Sequence, residues 1–298
     1  MAAVTSEEGI TRELGVGEVV SKTFGLFRRD FVKYFVVFAA AELVVGLVTL
    51  LANSVVQVPT IPTNTADLSW VPGYFAALFE LYLIIVAATL LVVPIAEGSA
   101  IKLASEAVEG RPVALGASVR FALSKLVWLW AVSLVVGVIV VLGLIALFVP
   151  GVILAIMFCL ALPALLLENT GVFGSLSRSR ELVGHRWGKT FGTFFVLGLI
   201  ILVISAVVSF VSGLFGAAGP VVTGFLSAFY EPIFPIALTV YFFSNRARIT
   251  SPSQMGQATT GYGPTPRPQP GMKFCPNCGT QLLASATFCA NCGAKQPA

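Results

Sequence analysis

The sequence has little charge and almost no histidine. Of its 298 residues, 11% are Asp, Glu, Lys or Arg and 57% are hydrophobic. Soluble proteins contain about 25% charged residues, so a soluble domain of this composition would lack the polar side chains that its surface needs. The single histidine, His185, excludes any site that requires several imidazole groups. An N-terminus with Glu7 and Glu8 and no apolar run predicts no cleavable signal peptide.

The longest stretch without any charged residue runs from Leu126 to Leu167. As one helix, its roughly 42 residues would measure about 63 Å, twice the ~30 Å of the hydrocarbon core of a bilayer. It must therefore fold back once, and its turn signal is Phe148-Val149-Pro150-Gly151. The stretch predicts two membrane-spanning helices, with Pro163 kinking the end of the second.

The pattern of this hairpin recurs on both sides, which predicts an all-α polytopic membrane protein. Six transmembrane helices form three hairpins: spans at about 32–51 and 73–95, two within 126–167, and spans at about 190–214 and 221–243. An amphipathic cytoplasmic segment precedes each hairpin, and we expect these segments to lie at the membrane interface. A threefold internal repeat would explain this order, but any hairpins with basic flanks would look similar.

The chain also divides by composition. We expect an amphipathic segment at 1–31, the six-helix membrane domain at 32–243, a flexible linker at 244–271 and a zinc ribbon at 272–298.

Basic residues are absent from all three turns within the hairpins. All 18 lysines and arginines lie in the N-terminal segment, in residues 97–125 and 168–189, or in the tail after residue 243. Cytoplasmic loops carry the excess of Lys and Arg, so we expect a multi-pass protein of the cytoplasmic (inner) cell membrane with both termini in the cytoplasm. Its basic flanks would contact anionic lipid of the bilayer.

The tail contains two Cys-x-x-Cys-Gly motifs, which predict a structural zinc site. The four cysteines are Cys275, Cys278, Cys289 and Cys292. Four thiolates bind Zn²⁺ tetrahedrally and leave no open coordination position for catalysis. So short a module cannot bury a sufficient core, so the metal would supply its folding energy. Two disulfides are the competing interpretation, but they conflict with a reducing cytoplasm.

The zinc ribbon has few basic residues nearby: Arg267, Lys273 and Lys295. Three cations are too few for a nucleic-acid interface, so we expect no nucleic-acid partner and a protein partner instead. The alternative is a passive folded appendage.

Three acidic residues lie inside predicted spans: Glu42, Glu80 and Glu231. No Lys or Arg lies at a matching depth, and an acid inside the membrane is a functional candidate by default. Glu231-Pro232, with Pro235 one turn later, is the most informative, because proline frees a backbone carbonyl near the acid. The alternative is structural hydrogen bonding between helices. Cys159, alone in an apolar span, predicts packing only.

Three segments carry a resemblance to a known family: Pro163–Glu168, Gly174–Val183 with Trp187, and Thr239–Arg248. Over about residues 10–250 the chain resembles a widespread prokaryotic membrane family that is named for its likeness to the membrane domain of glycerophosphodiester phosphodiesterase. The hydrolase activity in that family belongs to a separate soluble domain, so the resemblance implies no catalysis here. The tail resembles the short zinc ribbons of many prokaryotic membrane proteins.

These observations predict a membrane adaptor, regulatory or assembly factor without catalytic activity, whose zinc ribbon binds a protein. The alternative is a transporter or channel-like protein that uses intramembrane carboxylates. A lipid-handling enzyme ranks third, because no polar catalytic constellation occurs. The sequence leaves the substrate, the partner and the oligomeric state open.

Overall fold

A computed structural model describes residues 9–60, 68–184, 186–250, 272–274, 281–283, 285–288 and 295. The chain divides into two compact units, Met1–Thr250 and Ser251–Ala298. His185 and the four cysteines of the predicted zinc site lie outside the described residues.

The first unit is entirely helical over its described residues. Its helices are α1 (Val16–Arg29), α2 (Phe31–Val55), α3 (Val71–Val108), α4 (Leu115–Ser124), α5 (Leu126–Ala146), α6 (Phe148–Phe158), α7 (Ala161–Glu168), α8 (Gly171–Val183), α9 (Trp187–Gly213), α10 (Gly219–Ser227) and α11 (Ile233–Thr250). A short 3₁₀ turn, Gly216–Ala218, precedes α10.

Five helical segments of the described chain are long and apolar enough to cross a membrane: α2, α3, α5, α6 together with α7, and α9. They indicate a membrane protein, as expected. The sixth span, predicted as one helix over 221–243, is instead divided into α10 and α11 by a turn at residues 228–232. Pro232 has no N–H and disfavours a helical conformation at Glu231, so the helix ends before these residues.

Other boundaries differ from the sequence prediction for similar local reasons. The turn between α5 and α6 is the extended residue Leu147, and the predicted turn residues Phe148–Gly151 form the first turn of α6. Proline is tolerated in the first turn of a helix, which explains the position of Pro150. Pro163 likewise lies near the start of α7, after a break at Cys159 and Leu160.

A side chain of α8 forms hydrogen bonds with the backbone at the α6–α7 break. Ser179 of α8 donates to the Met157 carbonyl oxygen at 2.8 Å and accepts a hydrogen bond from the Leu160 N–H at 3.1 Å. Both backbone groups belong to the interrupted helix, so one buried hydroxyl replaces part of the missing helical ladder.

Two further helices run beyond their predicted ends. α3 continues past the predicted span 73–95 to Val108, with Pro94 inside it. α11 continues to Thr250, so the first residues of the predicted 244–271 linker are helical.

The buried core is centred on three helical segments, each of which has a proline among its first three residues. We call them the inner segments: residues 94–108 of α3, α7, and residues 233–245 of α11. Most of their side chains are buried, and each inner segment contacts the other two. The core is therefore a triangle of helices at one end of the unit.

The three amphipathic helices surround this triangle in a cyclic order. α4 packs on α3, α8 packs on α7, and α1 packs on α11. Each amphipathic helix thus contacts the last inner segment before it, and α1 closes the ring onto the end of the chain's third hairpin. The apolar side chains Val19 and Leu26 of α1 are buried in this contact region. The threefold internal repeat would produce this order and stays a prediction.

The residue that directly precedes each of α2, α5 and α9 has a similar backbone conformation. The junction residues are Asp30 (φ −113°, ψ 27°), Lys125 (φ −106°, ψ 6°) and Arg186 (φ −128°, ψ 23°). These three residues share a backbone conformation at the start of α2, α5 and α9, although the α8–α9 connection is longer than the other two.

The N-terminal segment is tied to the rest of the unit by polar contacts. Glu13 accepts hydrogen bonds from Arg186 at 3.0 Å and from Lys189 at 2.5 Å. Glu18 accepts from the Gly15 N–H at 2.7 Å at the start of α1. The hydrogen bonds from Arg12 and then from Gly15 lower the pKa of Glu18 to about 2. The positive end of the α1 dipole also stabilises a carboxylate at this position.

Candidate functional site

The second unit contains a β-hairpin at its start. β1 (Met272–Phe274) pairs antiparallel with β2 (Gln281–Leu283), so that Phe274 faces Gln281. A further antiparallel bridge joins Phe288 to Lys295.

Each of these two pairings encloses one cysteine motif. The spacing between the cysteines and the paired residues is the same in both cases. Cys275 follows Phe274 directly, and Cys278 precedes Gln281 by three residues; Cys289 and Cys292 have the same offsets from Phe288 and Lys295. Each motif therefore lies in a connection whose ends are held together by strand pairing. Two such equivalent connections fit two thiolate pairs around one tetrahedral Zn²⁺.

The described part of this unit buries little apolar surface. Leu283 is 63% exposed and Phe288 is 61% exposed. A module of this size needs another source of stability, and bound Zn²⁺ would supply it through metal–thiolate bonds. A protein partner could cover each of these two exposed apolar side chains.

The first unit brings together two of the three predicted intramembrane acids. Glu42 of α2 and Glu231 of the α10–α11 turn lie within hydrogen-bonding reach of each other, and the Ser227 hydroxyl also bonds to Glu231. Ser227 in turn contacts the Tyr230 hydroxyl at 3.3 Å. Two neighbouring carboxyl groups in apolar surroundings repel when both are ionised, so this arrangement favours one shared proton.

Close packing of α2 against α10 explains why these acids meet. A Cβ atom at Gly224 of α10 would lie 2.8 Å from the Glu42 carbonyl oxygen, and a Cβ at Gly46 of α2 would lie 3.3 Å from the Pro220 carbonyl oxygen. Glycine at both positions lets the backbones approach. The two helices therefore cross directly at Glu42.

Sequence reasoning missed a third acid near this pair. Glu97 was predicted in a polar connection, but it lies inside α3, three residues after Pro94, and its charge acts on Glu231. The signal that could have identified it is an acid one turn after a proline, at the end of an apolar run.

Glu80 does not join the other two predicted acids. It lies in the first half of α3, and its side chain is exposed. Cys159 is a half-buried free thiol at the α6–α7 break, in agreement with a packing role.

Comparison with known families finds a zinc-ribbon domain at residues 274–296. No curated protein and no solved structure matches the chain. The match identifies the class of the tail: the chain is similar to zinc ribbons there, and the family generally binds zinc. The helices of the first unit add the second feature, so the class as a whole is a membrane protein with a zinc ribbon. The resemblance of residues 10–250 to the phosphodiesterase membrane domain stays a prediction.

Proposed function

We propose that this protein is a non-enzymatic membrane adaptor or regulatory factor, whose zinc ribbon binds a protein partner at the cytoplasmic face. The observation that carries the proposal is the exposure of Leu283 and Phe288 on a unit separate from the helical one. Large apolar side chains that a small module cannot bury are typical of a surface that a partner covers.

The charge distribution supports the cytoplasmic assignment. The turns within the hairpins carry no Lys or Arg, whereas all 18 basic residues lie in the segments that the charge rule, like the tail, assigns to the cytoplasm. In a reducing cytoplasm, four cysteines in this spacing bind metal in preference to forming disulfides. The orientation and the zinc site therefore support each other.

The chemistry of the ribbon favours binding over catalysis. A site with four thiolates coordinates Zn²⁺ fully, so the metal has no position for a substrate or an activated water. Phosphate binding would require more cations than Lys273 and Lys295 offer among the described residues of this unit.

The test is affinity purification of the full-length protein from its native membrane. The variant Leu283→Ser with Phe288→Ser should lose its co-purifying protein at least tenfold while it keeps its zinc. Thr287→Ala changes an exposed polar neighbour and is the matched control. An unchanged set of partners in the double variant would contradict the adaptor function.

A second candidate function is transport of a proton or cation through the helical first unit, which we call the membrane unit. Glu42 and Glu231 would be the groups that carry the ion. The contact of Glu42 with Glu231 at the α10–α11 break favours it, because interrupted helices line binding sites in transporters. Proton flux into proteoliposomes should fall at least tenfold for Glu42→Gln with Glu231→Gln and persist for Glu80→Gln. Equal flux in all three proteins would exclude this role for the pair.

A further inference from the structure

An open groove runs between α3 and α5 on the outside of the membrane unit. Its volume is about 950 Å³. Apolar residues of both helices form most of its walls, among them Leu90, Leu91, Leu134, Gly137, Val138 and Val141. The α3 residues Ala87, Leu90 and Leu91 that line the groove are exposed, so the described chain leaves this face of α3 open.

The groove begins where α3 and α5 separate. At Gly98 of α3, an added Cβ would lie 3.0 Å from Leu129 of α5, so the helices are in direct contact there. Beyond this contact, the Trp130 indole N–H donates to the Leu90 carbonyl oxygen at 2.6 Å. In a regular helix, residue 94 would donate its N–H to this carbonyl oxygen, but Pro94 has no N–H. The two helices are thus fixed at one end and open at the other.

Glu80 lies on the same face of α3, beyond the open part of the groove. It precedes Ala87, which lines the groove, by seven residues or about two helical turns. It lies six residues after Tyr74, whose ring packs edge-to-face with Trp70 at 5.6 Å. With this aromatic pair at the membrane surface, Glu80 is about 9 Å deeper, within the hydrocarbon.

The carboxyl group of Glu80 has no hydrogen-bond donor in the part of the chain that the structure describes, and it is exposed. An acidic side chain that is ionised or without a hydrogen-bond partner has a high free energy when it faces lipid. Acidic residues in membrane proteins therefore usually pair with a donor. The groove beside it is apolar and long enough to accept the side chains of a helix. The two features together favour a bound helix that carries a cation at this depth.

A second copy of this chain cannot supply that cation. No Lys, Arg or His occurs in residues 34–101, 126–167 or 190–245, which include the outer parts of every predicted span. A symmetric pair of chains would therefore bring no Lys, Arg or His to Glu80 at this depth. Charge complementarity therefore favours a different protein.

We propose that the α3–α5 groove binds a transmembrane helix of another membrane protein, with a Lys or Arg of that helix paired to Glu80. This interaction lies in the bilayer and does not involve the zinc ribbon. It gives the protein a second binding surface, beyond the partner of the ribbon.

The experiment is site-specific photocrosslinking of the full-length protein in growing cells. A photoreactive benzoylphenylalanine at Gly137 lies in the groove, and the same residue at Gly192 of α9 is the control. Gly137 is exposed and Gly192 is half-buried, and an added Cβ meets no atom within 4 Å at either one. The Gly137 probe should give a protein adduct whose crosslinked peptide, identified by mass spectrometry, is a transmembrane segment with Lys or Arg.

Substitutions at Glu80 test whether the adduct depends on its carboxyl group. Glu80→Leu should reduce the adduct at least tenfold and Glu80→Asp should retain it, at equal amounts of protein in the membrane. Cys275→Ser with Cys278→Ser should leave the adduct unchanged, so a failure here is separate from a failure of the ribbon proposal. The proposal is overturned by no adduct, by adducts with lipid or a second copy only, by the same adduct from Gly192, or by insensitivity to Glu80→Leu.

Discussion

The Trp130 indole replaces a hydrogen bond that Pro94 cannot make. Its N–H lies 2.6 Å from the Leu90 carbonyl oxygen, which would otherwise have no helical donor. A side chain of α5 therefore compensates a proline of α3 and joins the two helices. Hydropathy cannot predict such a pair, because the two residues are far apart in the sequence and each is ordinary in a membrane span.

Replacing Trp130 by Phe should destabilise the membrane unit by about 1 kcal/mol, because one hydrogen bond in an apolar environment is lost while most of the ring remains. Unfolding of the purified protein in mixed detergent micelles measures the change. Trp128→Phe is the matched control, since Trp128 is 51% exposed on the same helix. Equal effects of both substitutions would argue against this role of the indole.

The sequence identifies single functional residues unevenly. It identifies the four ribbon cysteines by their spacing, and it selects Glu42 and Glu231 because acids are rare in spans. It also placed Glu80 in the same set, although Glu80 lies apart from the other two and is exposed. Contacts between helices determine which of the acids meet. The position of an acid within a predicted span does not reveal those contacts.

Among the elements, the crossing of α2 and α10 depends on two glycines. A methyl group at Gly224 would come within 2.8 Å of backbone atoms of Glu42, which cannot move without shifting the helix. The crossing therefore sets the distance between Glu42 and Glu231.

Gly224→Ala should destabilise the unit by about 1–3 kcal/mol, because the two helices must separate to admit the methyl group. Gly192→Ala is the control: its Cβ would meet nothing within 4 Å in a helix of similar hydropathy. Thermal unfolding in detergent should show a lower midpoint for the first variant and an equal or higher midpoint for the second. A neutral Gly224→Ala would show that α2 and α10 are not in close contact.

The helices themselves were largely predictable, whereas their interruptions were not. Long apolar runs predict α2, α3, α5, α6 with α7, and α9, because membrane spans need mainly length and apolarity. The α10–α11 break lies in an equally apolar run, and its cause is the local backbone restriction at Pro232. The continuation of α3 to Val108 was missed because its charged residues look like a loop, although most of that segment is buried against α4 and α11.

The molecule as a whole combines two units with different sources of stability. The membrane unit is held by the triangle of inner segments and its ring of amphipathic helices. The ribbon has too few residues for a comparable core, so its folding should depend on zinc.

The purified protein should contain about one zinc ion per chain, as four thiolates bind one tetrahedral ion. Chelation or Cys275→Ser with Cys278→Ser should remove the zinc and unfold the ribbon, while the unfolding midpoint of the helical unit stays the same. Elemental analysis and thermal unfolding measure the two effects separately. Zinc that persists in the double variant would place the metal elsewhere.

Cysteine labelling of intact cells tests the central claim, the arrangement of the chain across the membrane, most directly. Thr60→Cys and Arg180→Cys are introduced singly, at exposed positions, into a variant without native cysteines. A membrane-impermeant maleimide should modify the cysteine at position 60 in intact cells and the cysteine at position 180 only after permeabilisation. Modification of the cysteine at position 180 in intact cells would contradict the account.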